Sequence, residues 1–221
     1  MKPFLHARLV LVLLGTCCTW ATAGEWLDLR GAAPIRGDAA AGAAKAAVCA
    51  ACHGPNGNSI VPVFPRLAGQ RADYLYWRLA NFRRGAWPQS PMTAQAANLA
   101  DADLRDLAAY FSAQAAAEPA ASAAPSARGE ELFRRGDAQR GTPPCQGCHG
   151  ADAKGPADAR LATWPSLRGQ QADYVAARLK AYRDASSAAA SSNEFVMRGV
   201  ARRLDDEAIA ALADWLASLP P

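Results

Sequence analysis

Apolar residues recur at helical spacing in four stretches of this chain, and the four stretches form two similar pairs. Leu104, Leu107, Ala108 and Phe111 stand at i, i+3, i+4 and i+7, and so do Ile209, Leu212, Ala213 and Leu216. That spacing places one apolar stripe on a helix. Acids open each stripe, Asp101 and Asp103 in the first and Asp205, Asp206 and Glu207 in the second, where the helix dipole favours them. Residues 73–84 put Leu75, Leu79 and Phe82 on one face, and residues 173–183 repeat this with Val175, Leu179 and Tyr182. Residues 37–48 form an alanine-rich helix, and residues 128–135 supply its counterpart, followed by a break at Pro143 and Pro144. No stretch alternates polar and apolar residues as a half-buried strand would. The pattern predicts an all-α fold.

The pairing is a duplication of a whole domain. The segment Pro65 to Tyr74, P-R-L-A-G-Q-R-A-D-Y, returns as P-S-L-R-G-Q-Q-A-D-Y from Pro165 to Tyr174 at an offset of 100. Met92 maps to Met197 and Leu104 to Ile209, both at an offset of 105. Residues 114–127 are rich in Ala, Pro and Ser, with Pro119 and Pro125 breaking any helix, which reads as a linker. The expected domains are therefore 24–113 and 128–221. At roughly 90 residues each, burial alone leaves such halves marginal in stability. Tyr110 and Trp215 are expected to pack between the terminal and N-terminal helices of their halves.

Residues 1–23 read as a cleaved signal peptide, with Lys2 and Arg8 before the apolar run Leu9 to Leu14 and an A-x-A site at Ala21–Ala23. The run is too short to span a membrane, which takes about 20 residues; a retained anchor or a lipoprotein signal at Cys17 are the alternatives. Removing the segment lowers the formal charge from +4 to +2, because two bases leave and no acid does. Neither a nucleic-acid footprint nor a strongly acidic surface follows from that balance.

Of six cysteines, Cys17 and Cys18 leave with the signal. The other four are Cys49 and Cys52, followed by His53, and Cys145 and Cys148, followed by His149. C-x-x-C-H is the attachment signature of c-type haem. Its two thiols can bond the two vinyl groups of one porphyrin, and the adjacent histidine can ligate the iron. A zinc site, a redox dithiol and a small-loop disulfide are the competing readings. None of them explains why a histidine follows both pairs. The two motifs are offset by 96, so the second half carries four extra residues between His149 and Pro165.

The sixth iron ligand follows by elimination. Without residues 1–23 no further histidine or cysteine remains, and each half keeps one methionine, Met92 or Met197, at matching positions. A lone methionine is more often a core filler; a matched pair favours axial ligation. The carbonyls of Pro65 and Pro165 are expected to accept the Nδ1–H of His53 and His149, with a simple turn proline as the alternative. Gln70, Gln170, Tyr74 and Tyr174 suit either haem propionates or ordinary packing. Arg66, Arg71, Arg78, Arg83 and Arg84 suit either a docking face for an acidic partner or solvated helix surface.

Through A-A-V-C-A-A-C-H-G-P-N-G-N-S (46–59), F-P-R-L-A-G-Q (64–70), S-P-M (90–92), C-Q-G-C-H-G (145–150) and M-R-G-V-A-R-R-L (197–204), the chain resembles the dihaem cytochromes c4. The resemblance implies two tandem class I cytochrome c domains related by a pseudo-twofold axis, each around one covalently bound haem c. It also implies a periplasmic electron carrier, loosely associated with a membrane, between a cytochrome bc1-type donor and a terminal oxidase. Residues 24–36 match nothing in that family pattern, and Ala100 replaces its helix-capping hydroxyl. A dihaem peroxidase and a cytochrome subunit of a dehydrogenase complex are the competing functions. The peroxidase lacks a distal histidine here and would want two unlike haem settings.

The mature chain is expected to begin at Gly24 and to carry two haems. Intact-mass spectrometry of protein made with haem-attachment machinery checks both; an uncleaved mass, or one short of two haem increments, refutes the reading.

Overall fold

The computed structural model describes residues 26–118, 125–185 and 189–221. The signal-peptide assignment and the middle of the linker, 119–124, lie outside the described residues. Ten α-helices run in order among those described: α1 (Ala39–Lys45), α2 (Ala50–His53), α3 (Ala72–Arg83), α4 (Pro91–Ala96), α5 (Asp101–Ser112), α6 (Ala127–Arg135), α7 (Gln146–His149), α8 (Ala172–Arg183), α9 (Ser192–Ala201) and α10 (Asp206–Ser218). The same residues contain no strand, only isolated bridges between Leu27 and Ser191 and between Asp137 and Thr142.

Two cores form, one in each half. The first gathers Ala46, Leu75, Tyr76, Ala80, Leu104, Leu107, Ala108 and Phe111. The second gathers Leu132, Phe133, Val175, Ile209, Leu212, Ala213, Trp215 and Leu216 with their neighbours. The stripes expected on α5 and α10 are thus the buried faces. In each half the terminal helix packs on the N-terminal helix and on the helix after the Gly-Gln segment. The crossing of the first two is closed by glycine. A Cβ on Gly42 would drive into the backbone carbonyl of Asp106, and one on Gly129 into that of Ala211. Trp215 stacks on Phe133 with ring centroids 4.8 Å apart, whereas Tyr110 sends its hydroxyl out to Asn56 Oδ1 at 2.9 Å. At the start of α5 the Ala100 side chain caps nothing; the Asp103 carboxylate instead accepts the Ala100 N–H at 2.9 Å. Asp205 caps α10 by accepting the Ala208 N–H at 2.8 Å.

The halves meet through matched backbone pairings. Gln70 donates its amide to the Ser166 carbonyl and accepts the Ser166 N–H, both at 2.8 Å. Gln170 does the same to Arg66, donating at 3.0 Å and accepting at 2.8 Å. Each glutamine oxygen also takes the N–H of the following residue. This reciprocity is the signature of a pseudo-twofold contact, and it uses glutamines for which the sequence also allowed a propionate role.

Arg66, Arg71 and Arg84 are drawn into the same interface, so the five arginines do not form one free docking face. Arg66 donates to the Gly169 carbonyl at 3.0 Å, Arg71 to those of Pro156 and Ala162 at 3.0 and 3.1 Å, and Arg84 to that of Ala190 at 2.8 Å. Pro156 and Ala162 lie in the stretch between His149 and Pro165, where the second half carries its extra residues. Arg78 lies over the Trp87 ring at 4.0 Å, and Arg83 is paired to Asp101. A guanidinium between two packed domains finds carbonyls before it finds water, which is why a basic tally misled.

Gly129→Ala should destabilise the holoprotein by about 1–3 kcal/mol, because a helix carbonyl cannot yield to the new methyl. Gly199→Ala, on α9 where a Cβ meets nothing within 4 Å, should be neutral or stabilising. Denaturant unfolding checks the difference in sign.

Candidate functional site: two C-x-x-C-H pockets

Each C-x-x-C-H motif is wound into a tight helical turn, which brings its cysteines and histidine together. In the first half a 3₁₀ turn, Ala46–Cys49, carries α1 directly into α2, so Cys49, Cys52 and His53 lie on successive turns. In the second half Cys145 precedes α7, which holds Cys148 and His149. Both turns end at glycines with positive φ, Gly54 at 73° and Gly150 at 77°. A Cβ on Gly54 would also collide with the Asn58 carbonyl. Glycine is needed there on both counts.

Both imidazoles are buried, and both are oriented by the expected proline. His53 Nδ1 lies 2.9 Å from the Pro65 carbonyl oxygen, and His149 Nδ1 lies 3.1 Å from that of Pro165. A carbonyl can only accept, so Nδ1 carries the proton and each Nε2 lone pair is left for a metal. Desolvation holds both imidazoles below their ordinary pKa against the opposing pull of the carbonyl, which keeps them neutral. The extra residues of the second half do not disturb this geometry.

The prolines are themselves held. Backbone N–H groups of Leu67 and Ala68 converge on the Gly57 carbonyl at 2.8 and 3.2 Å, and those of Leu167 and Arg168 on the Ala153 carbonyl at the same distances. The Gly69 N–H bonds the Phe111 carbonyl on α5, and the Gly169 N–H that of Leu216 on α10. One rigid segment thus serves the histidine, the terminal helix and the domain interface.

None of the four described cysteines is paired in a disulfide, and Cys52 is exposed while the others are half-buried. Burial raises the Cys49 and Cys148 thiols and pushes Cys145 up to about 11. Among the described residues no three His, Cys, Asp or Glu side chains converge as a metal site, and the two pairs sit in separate halves. A shared zinc site is therefore not built.

The surroundings fit a porphyrin. Exposed large apolar side chains adjoin these residues along the chain: Val48 before Cys49, Val61 and Val63 ahead of Pro65, Phe195 and Val196 ahead of Met197. The buried indole N–H of Trp77 has no acceptor among the described residues, a donor that a carboxylate would satisfy. Tyr74 and Arg78 on α3 match Tyr174 and Arg178 on α8, and the four interact electrostatically with Tyr182 between the halves. Desolvation pushes the Tyr74 phenol above its ordinary range, with Tyr174 adding to the effect and Arg78 opposing it. Desolvation also pushes Tyr182 up, but Arg178 and Arg78 outweigh it and hold that phenol low. Two cations among three phenols make a setting for anionic groups, and the repeat at offset 100 held the signal for Arg178.

Met92 and Met197 are both half-buried on short helices that the sequence pattern did not show. Met92 occupies the first turn of α4, where Ser90 Oγ accepts its N–H at 3.3 Å. Met197 sits in mid α9. α4 packs on α3 and α9 on α8, so each methionine rides on the helix that follows its own Gly-Gln segment.

Comparison with known proteins bears on both halves. The family model described as cytochrome c matches residues 39–114 and again 126–220. A cytochrome c4 of Thiocapsa roseopersicina is 43% identical over 189 residues, covering 85% of this chain and 96% of that protein. A thiosulfate dehydrogenase electron acceptor of Thiomonas intermedia is 34% identical over 226 residues, covering 100% of this chain and 95% of that protein. The crystal structure of reduced recombinant cytochrome c4 from Pseudomonas stutzeri superposes with a TM-score of 0.74 at 41% identity, covering 83% of this chain and 99% of that one.

Replacing Cys145 and Cys148 together by Ala should lower the haem content from two to one per chain. The second half should then lose its protection from limited proteolysis while the first keeps it. Haem stoichiometry and peptide mapping of the digest check both outcomes.

Proposed function

The chain belongs to the cytochrome c family, among the dihaem cytochromes c4, and on that footing we propose that it is a periplasmic electron carrier with two His/Met-ligated haems. It is an electron-transfer cytochrome with two covalently bound haem c groups, each of which supplies a one-electron couple when bound. What the chain's own residues do is hold each iron and keep its ligation fixed. Cys49 and Cys52, and Cys145 and Cys148, are the attachment thiols. His53 and His149 would hold the irons through Nε2, and Met92 and Met197 would hold them through their thioether sulfurs.

The observation that carries this reading is the commitment of both histidines. Each Nδ1–H is spent on a proline carbonyl, and no third histidine exists outside residues 1–23. No imidazole is left to act as a distal acid or base on bound peroxide. The two settings are also alike, whereas a dihaem peroxidase needs one iron that opens. A thioether ligand favours the ferrous state and raises the potential, which suits a carrier.

The export signal in residues 1–23 supports a periplasmic location, and no described helix is long and apolar enough to cross a membrane. A bc1-type donor and a terminal oxidase, with loose membrane association, are the partners the family resemblance supports. The full-length similarity to thiosulfate dehydrogenase electron acceptors supports a second donor, an enzyme of that type, with the same chemistry in this chain.

One experiment tests ligation and carrier function together. The parent protein, pre-reduced, should transfer electrons rapidly to other redox proteins while consuming peroxide slowly and resisting carbon monoxide. Met197→Ala should lose one ferric thioether charge-transfer band and admit carbon monoxide at one haem, and Met92→Ala should do so at the other. Both bands surviving would refute the ligands, and fast saturable peroxide turnover by the parent would favour the peroxidase.

A further inference from the structure

Residues 26–36, which match nothing in the family pattern, cross from one half to the other. Ile35 belongs to the first half: its side chain packs on that core and its N–H bonds the Asp73 carboxylate at 2.9 Å. Leu27 reaches across to the second. Its N–H donates to the Ala190 carbonyl at 3.2 Å, its carbonyl accepts the Ser192 N–H at 2.9 Å, and the Leu29 N–H reaches Ser192 Oγ at 3.0 Å. Leu29 is 3% exposed yet part of neither domain core.

The place it reaches is the start of α9. Ser191 caps that helix, its Oγ accepting the Glu194 N–H. Two further groups of the first half arrive at the same turn: Arg84 on the Ala190 carbonyl at 2.8 Å, and the Trp87 indole N–H on Glu194 Oε1 at 3.4 Å. Glu194 is buried, takes the Ala190 N–H at 2.8 Å and pairs with Arg198 at 2.6 Å. Desolvation would raise this carboxyl, but those partners hold it below its ordinary value, so it stays charged. A charge-assisted node of this kind is costly to break. α4, which carries Met92, is treated differently. Its described hydrogen bonds come from its own half, with the Trp87 carbonyl accepting Thr93 Oγ1 at 2.7 Å and the Ser90 N–H at 2.9 Å. Trp87 therefore bonds both methionine-bearing segments, through its carbonyl to one and its indole to the other.

We infer that the first domain positions the methionine of the second: Leu27, Leu29, Arg84 and Trp87 fix the opening turn of α9 and so hold Met197 against its haem. The inference rests on Met197 as a sixth ligand. Ligation in the second half then depends on the domains being docked, and ligation in the first does not.

The test uses holoprotein carrying Leu29→Ala and Trp87→Phe, singly and together, in a Met92→Ala background so that the surviving thioether band belongs to the second haem. Added imidazole, which binds ferric iron only after the methionine leaves, is the probe. Each lost anchor is a contact of about 1 kcal/mol, so imidazole should bind the second haem roughly 5-fold more tightly in each single variant and about 30-fold more tightly in the double. Leu29→Met should restore the parent affinity, and the same pair of changes in a Met197→Ala background should leave the first haem's imidazole affinity unchanged. An unchanged affinity at the second haem, or an equal gain at both, overturns the inference. The ligation reading is judged separately by the second band in Met197→Ala alone: its survival there refutes the ligand, whatever the anchor variants do.

Discussion

The hydrogen bond from a buried imidazole to a proline carbonyl is the constraint on which the rest of each half depends. It fixes the ring tautomer, and it ties the histidine to a segment with other duties. Four residues beyond the proline, a glycine N–H is fastened to the terminal helix, and one residue further a glutamine crosses to the other half. A movement of the histidine is therefore a movement of the interface. For a protein whose task is to change charge without changing shape, that rigidity is useful, since ligand rearrangement would slow each transfer.

The two halves share this scheme but are not equivalent. The second has a longer stretch between its histidine and proline, and that stretch provides the carbonyls that receive Arg71. It also receives the 26–36 segment and the Trp87 and Arg84 contacts. Duplication supplied two similar sites, and the additions tie one of them to its neighbour.

Much of this was legible in the sequence because the signals were local or repeated. The stripes of α5 and α10, the attachment motifs and the proline twelve residues after His53 all depend on spacing along the chain. The helices bearing Met92 and Met197 were not legible. α4 spans six residues, too few for a periodic pattern, and α9 buries Glu194 and Arg198 while exposing Phe195 and Val196, which inverts the usual polarity. Arg66, Arg71 and Arg84 looked like a surface because they donate to backbone carbonyls of the other half, and carbonyls leave no trace in composition. Residues 26–36 were silent for the same reason: a single parallel bridge needs no alternating pattern.

The glutamine pairing has an evolutionary side. Each amide reads only the backbone of its opposite number, so the residues there are free to diverge, as Arg66 and Ser166 have. The contact is also isologous in form: the patch each half offers is the patch it needs. Two copies satisfy one another completely, and a third copy arriving by further duplication would find that patch already taken. Such an arrangement closes at a pair, whereas a head-to-tail contact between repeats would have let the gene grow into an open-ended wire of haem domains.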